Sequence, residues 1–367
     1  MPSIADSRAL STLSASDVNS NALLLRYLEE SDCEIRVLGK VLGGFDVLCA
    51  FAGGKKDPPI LITSGAHADE VAGVHAALRL LREIKTEHRL CVLPVRDPFG
   101  FEGYRANLEF AKGEPLKINA VADVYHVLRQ GVLLYEQGTY ILAQIGDYVF
   151  AYDVGIDFAS SSVGRRIEPL VLEDARIREA LSTAKRVIAP WNLPMPRTGD
   201  YYKQGARGMI VTAAGFVGNF NRFFSQSSAP LEVIYPRNLF EELKPGLVLD
   251  LHEGYGRGFY TYKAEKEDPM IERVVSALTT AVRELGGVNS TPEELQPYWG
   301  PRVGHDRRYF GNGVFYSGST TRSSFSQYCQ QTSCAFTFET GGLNPAKWRT
   351  DLHVWAAHAA IRAWESS

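Results

Sequence analysis

The sequence has no run of eighteen consecutive apolar residues, so no membrane-spanning helix is expected. Its opening stretch, MPSIADSRALSTLSASDVNS, lacks a basic segment followed by an apolar one, so no secretory signal is expected either. No Lys/Arg block reaches the length of a nucleic-acid footprint, and the formal charge is only -3, which makes nucleic acid a poor partner. The five cysteines are odd in number and include no CxxC pair, which speaks against a disulfide framework. Free thiols in a reducing cytoplasm are the expectation. What remains is ordinary globular composition, 45% hydrophobic and 22% charged, in a chain of 367 residues.

Apolar patterning predicts an α/β fold with a central mixed β-sheet flanked by helices. A helix is expected at 21–30, then two strands, EIRVLGKVL and FDVLCAF, joined through Gly43-Gly44 as a hairpin. PPILITSG reads as a buried strand, HADEVAGVHAALRLLREI as a helix, and RLCVLPVRDP as a strand stopped by proline. That order predicts a strand-helix-strand unit with a parallel pair. Residues 111–200 mix helix-like stretches (INAVADVYHVLRQGVLLYEQG, LEDARIREALSTAKRV) with aromatic segments. They are read as an inserted subdomain within a catalytic domain formed by 1–110 and 201–367. Downstream come a helix in PRNLFEELKP, the strands GLVLDLHEG and GFYTYKA, a helix in DPMIERVVSALTTAVRELGG, a loop-like Gly/Tyr/Ser stretch, the strand SCAFTFETGG and a terminal helix.

Three of these strands end in chemically useful residues. His67 and Glu70, in SGAHADE, follow the strand PPILITSG at a spacing that turns both side chains to one side of a helical turn. Zinc accepts imidazole nitrogen and carboxylate oxygen, and catalytic zinc keeps three protein ligands and an open position. His252, at the end of LVLDLHEG, is the candidate third ligand, because open α/β sheets gather their sites at the carboxyl ends of strands. A pair at this spacing also arises by chance in many chains, and a lone strand-end histidine is often structural. Asp250 shares the strand face of His252 and either orients that ligand or is a plain structural carboxylate. Glu339, in AFTFETGG, ends a third apolar strand where a metal-assisted hydrolase would need a base.

Taken together these parts resemble the zinc carboxypeptidases related to carboxypeptidases A and B. The shared order is a His-x-x-Glu after a strand, an Asp-Pro turn, an Asn-Arg pair, a strand ending in a single His, and a late Phe-Thr-x-Glu strand. The likeness runs from about residue 30 to 360 outside the insertion. It implies one zinc ion held by His67, Glu70 and His252, with Glu339 as general base. In GNFNRFF it carries Asn221 and Arg222 onto the pair that grips a substrate's terminal carboxylate. Arg207, or alternatively Arg105, corresponds to the arginine that stabilises the oxyanion, and Tyr316 in FYSGS to the family's mobile tyrosine. Arg322 falls in the specificity stretch and implies a preference for an acidic departing residue. Asn219 stands where the family has an aspartate that contacts a zinc histidine.

The implied reaction is removal of a C-terminal residue from a peptide, or from a small amide with a free carboxylate, by a cytoplasmic enzyme without a propeptide. An amidohydrolase like the aspartoacylase and succinylglutamate desuccinylase group, cleaving N-acyl amino acids, uses the same ligand pattern and is the alternative. A non-catalytic zinc or peptide-binding module is the reading from a different class.

Overall fold

The computed structural model describes residues 13–154, 163–190, 205–299, 307–317 and 323–366. Fifteen strands are found among them: β1 (Glu34–Lys40), β2 (Asp46–Gly53), β3 (Lys56–Thr63), β4 (His88–Leu93), β5 (Val132–Gln137), β6 (Tyr140–Ile145), β7 (Tyr148–Asp153) and β8 (Arg186–Pro190) in the first half. β9 (Ala206–Val211), β10 (Val217–Asn219), β11 (Leu247–Gly254), β12 (Phe259–Tyr262), β13 (Arg307–Gly311), β14 (Val314–Ser317) and β15 (Cys334–Gly341) follow.

Nine of the strands make a mixed sheet in the order β1-β2-β4-β3-β11-β15-β12-β14-β13. Its centre, β4-β3-β11-β15, is parallel throughout. Central parallel strands are covered on both faces and so read as near-continuous apolar runs, and every residue of β11 is buried. Side chains alternate between faces, which divides this strand into two functions. Leu247, Leu249 and Leu251 pack with Val74 and Leu78 of the helix Val71–Glu83 and with Ala356, Ala357 and Ala360 of the helix Ala346–Glu365. Val248 faces the opposite layer, with Phe224, Phe240 and Phe325, and Asp250 and His252 fall on that same parity.

The expected hairpin is present as the antiparallel pair β1 and β2, and the expected parallel pair is β3 with β4. The helix after β3 starts at Val71, with Glu70 as its N-cap residue, so His67 lies in the preceding turn. Glu253 at the end of β11 accepts the Ala72 backbone N–H at 2.6 Å, supplying that helix with the N-terminal acceptor its own sequence lacks. No helix among the described residues is long and apolar enough to cross a membrane.

A second sheet, six-stranded in the order β10-β9-β8-β7-β6-β5, spans Val132 to Asn219 and thus extends beyond residue 200. INAVADVYHVLRQGVLLYEQG, helix-like by its spacing, divides at Gly131 into the helix Val121–Arg129 and β5. A β-carbon at Gly131 would lie 2.4 Å from the Gln144 carbonyl oxygen, so the close approach of β6 sets the break. Both faces of this sheet are also covered, with Phe150 and Tyr152 packed beside Tyr104 on one side and Val149 and Ala151 beside Ile167 and Leu181 on the other.

Gly73 brings the helix Val71–Glu83 against β11 just beyond Glu70. A β-carbon there would sit 2.9 Å from the Leu251 carbonyl oxygen. Gly73→Val is therefore expected to lower the unfolding free energy by about 1–3 kcal/mol through overpacking. Urea unfolding checks it, and an unchanged midpoint would show that the helix does not depend on this contact.

Candidate metal centre

His67, Glu70 and His252 present one ligand atom each, all within 4.8 Å of one another, and all three residues are buried. The Glu70 carboxylate lies between the two rings, with His67 Nδ1 at 2.7 Å from Oε1 and His252 Nδ1 at 2.8 Å from Oε2. A local turn sets the first pairing, because the Glu70 backbone N–H donates to the His67 carbonyl oxygen at 3.0 Å. β11 supplies the second.

The opposite nitrogen of His252 is committed elsewhere. Its Nε2 lies 3.0 Å from Asp250 Oδ2, a contact that turns Nδ1 toward Glu70. Asp250 is itself fixed by the Thr63 hydroxyl at 2.8 Å and by Arg96, whose Nη2 donates to its two oxygens at 2.9 and 3.1 Å.

The Glu70 carboxylate and the two rings that face it perturb one another. Although burial alone would lower the pKa of His252, Asp250 and Glu70 raise it to about 10. Burial and Arg207 push His67 the other way, to about 3, leaving it neutral. Burial works upward on Glu70, yet the neighbouring rings of His67 and His252 hold its carboxyl below the usual range. The residues fit a divalent cation because they form an N, O and N donor set of the kind zinc takes; the far nitrogen of His67, Nε2, is buried with no hydrogen-bond partner. Asn219 Oδ1 is likewise buried without one, so the contact that the resemblance would place between Asn219 and a zinc histidine is not formed.

Glu339 is half-buried on β15 and pairs in register with His252 on β11 and Tyr260 on β12. Residues paired across adjacent strands project to the same face, which puts the Glu339 and His252 side chains on one side of the sheet. Arg207, on β9 of the second sheet, is buried and donates from Nη2 to Glu70 Oε1 at 2.8 Å and from Nε to Asp69 Oδ1 at 3.4 Å. Burial pushes the Asp69 carboxyl up to about 7, against the pull of Arg207.

The other residues singled out in the sequence take varied positions. Asn221 is buried, its Oδ1 accepting the Phe325 backbone N–H at 2.9 Å and its Nδ2 3.3 Å from His252 Nε2, on the side of that ring away from Glu70. Arg222 is half-buried and donates to the Asn221 carbonyl oxygen at 2.7 Å. Arg105, the alternative to Arg207, pairs with Glu109 at 2.9 Å on an exposed helix face, with no contact to the centre. Tyr316 is half-buried on β14, opposite Arg308 of β13. Arg322 lies outside the described residues. Arg96, Thr63 and Asp69 join the site without having been singled out.

No family model matches the chain, and no curated protein matches it. Solved structures do. Carboxypeptidase A from Helicoverpa armigera is 12% identical at a TM-score of 0.48, covering 97% of this chain and 75% of that one. A metallo-carboxypeptidase from Burkholderia cenocepacia is 10% identical at a TM-score of 0.48, covering 94% and 68%. Bovine thrombin-activatable fibrinolysis inhibitor, in complex with tick carboxypeptidase inhibitor, is 12% identical at 0.47, covering 95% and 96%. At such identities the roles of individual residues do not transfer from one chain to another.

Zinc added to chelator-treated protein is expected to raise the unfolding free energy by about 2.7 kcal/mol at a hundredfold excess over Kd. Thermal melts with and without zinc check this. The gain should vanish in His252→Ala, and a gain that survives that substitution would place the metal elsewhere.

Proposed function

We propose that the chain is a zinc-dependent hydrolase of the carboxypeptidase type that removes the C-terminal residue of a peptide. The observation that carries the proposal is the register of β11 and β15, which sets Glu339 beside His252 on the face where His67 and Glu70 converge. Zinc bound by His67, Glu70 and His252 would polarise the scissile carbonyl and lower the pKa of a water toward neutrality. Glu339 accepts the proton of the attacking water and returns it to the departing nitrogen. Arg207, already directed at the metal-ligand atoms through Glu70, is the cation available to negative charge developing on the carbonyl oxygen.

Arg222 anchors the free carboxylate, which its planar guanidinium can pair through both oxygens. Asn221 supports this role because its Oδ1 accepts the Phe325 backbone N–H, which fixes the Asn221-Arg222 turn, with its side chain 3.3 Å from His252. Tyr316 belongs to the same proposal as a group that closes on substrate. Arg322 belongs to it as the group that selects an acidic departing residue.

Glu339→Gln is expected to keep its zinc and lose about 10²–10⁴-fold in kcat, since the amide matches the carboxylate in size but takes no proton. Kinetics joined to metal analysis decide it, and near-normal turnover would remove Glu339 from the mechanism. The substrates should be peptides ending in Glu, Lys and Phe, their C-terminal amides, and N-acyl amino acids. Hydrolysis of the free-acid peptides with Glu preferred supports the whole reading. Preference for Phe or Lys removes the selective role of Arg322, and activity confined to N-acyl amino acids favours the amidohydrolase alternative.

A further inference from the structure

Arg96 lies in the turn between β4 and the Asp97-Pro98 pair, and at 2% exposure it is among the largest fully buried side chains of the chain. Its surroundings do not explain a charge by packing. The guanidinium carbon lies 5.1 Å from the Phe325 ring centre and 5.8 Å from that of Phe224, and the Nε and Nη1 atoms are buried with no hydrogen-bond partner. An apolar side chain would fill such a space at lower cost, because a buried guanidinium with unused donors loses hydration without replacement.

All the hydrogen bonding of this side chain converges on one target. Nη2 donates to Asp250 Oδ1 at 2.9 Å and Oδ2 at 3.1 Å, and it lies 3.3 Å from His252 Nε2. The Thr63 hydroxyl holds Asp250 Oδ1 from the neighbouring strand at 2.8 Å, and Asp250 Oδ2 faces His252 Nε2 at 3.0 Å. The order is thus Arg96 to Asp250 to His252 to Glu70, with two contacts in the first link and one in each of the others. The carboxylate of Asp250 has its plane set by two donors on separate elements, and it in turn sets the ring of His252 with Nδ1 toward Glu70. Buried partners of this kind fix the orientation of a metal-binding histidine.

We propose that Arg96 is a positioning residue of the metal centre, acting on His252 through Asp250 and touching neither metal nor substrate. The inference rests on the reading of His67, Glu70 and His252 as metal ligands. It adds a residue that this reading does not require.

The test is a double-mutant cycle read in metal binding, using the full chain, with wild type, Arg96→Met, Asp250→Asn and the double variant. Zinc Kd is measured by chelator competition, and the visible spectrum is recorded for each protein loaded with cobalt(II). Arg96→Met and Asp250→Asn are each expected to weaken zinc binding about 10–100-fold and to alter the cobalt spectrum in the same way. The double variant should bind no more weakly than Asp250→Asn alone if Arg96 acts through that carboxylate and not through its own 3.3 Å approach to His252 Nε2. Wild-type affinity in Arg96→Met, or the same loss on removing Arg96 from the Asp250→Asn background as from wild type, overturns the proposal. If Arg96→Met alone does not fold, the double variant, which leaves no lone buried charge, is compared with Asp250→Asn. Equal affinity then supports the proposal and a weaker one overturns it. A wild-type protein that binds no zinc would instead fail the underlying metal reading, and that result precedes every other comparison.

Discussion

The Glu70 carboxylate organises everything around it. Its two oxygens meet His67, His252 and Arg207, three groups brought in by a turn after β3, by the central strand β11 and by β9 of the second sheet. An uncompensated carboxylate cannot remain buried at this depth, so the fold must bring cationic or metal-binding partners from each direction. The second sheet is therefore part of the centre's construction. It supplies a guanidinium to the one ligand that links both histidines.

β11 carries the other half of the arrangement. Its odd positions anchor it in the helical layer through Leu247, Leu249 and Leu251, while its even positions place Asp250 and His252 on the opposite face. The strand is thereby held by apolar packing on one side and loaded with polar groups on the other. Its neighbours complete each polar group in register, Thr63 of β3 opposite Asp250 and Glu339 of β15 opposite His252. Parallel pairing in the centre of a sheet leaves little freedom for these side chains to drift, which fixes the geometry of the cluster.

Much of this is legible in the sequence itself. β3, β11 and β15 announce themselves as apolar runs, and His67, His252 and Glu339 stand where those runs stop. The second sheet was obscured because VLLYEQGTYILAQI has apolar residues at both helical and alternating spacings, and the choice is made by the approach of β6 to Gly131, a contact distant in sequence. Arg96 was hidden for a different reason. A charged residue between an apolar strand and a proline reads as a surface turn, and only Asp250, 154 positions later, shows why it is buried. Asn221 illustrates a further limit: its place beside Arg222 could be read from GNFNRFF, but its inward direction follows from the backbone of Phe325.

The proposed metal position is one ion between His67, Glu70 and His252, with both rings turned to it by their Nδ1 atoms. Zinc-edge anomalous diffraction on crystals of the zinc-loaded protein measures this directly. The account predicts a single strong peak about 2.0–2.2 Å from His67 Nδ1, His252 Nδ1 and a Glu70 oxygen, with His252 Nε2 still on Asp250. A peak at another cluster, or one bound through Nε2 of His252, would contradict it.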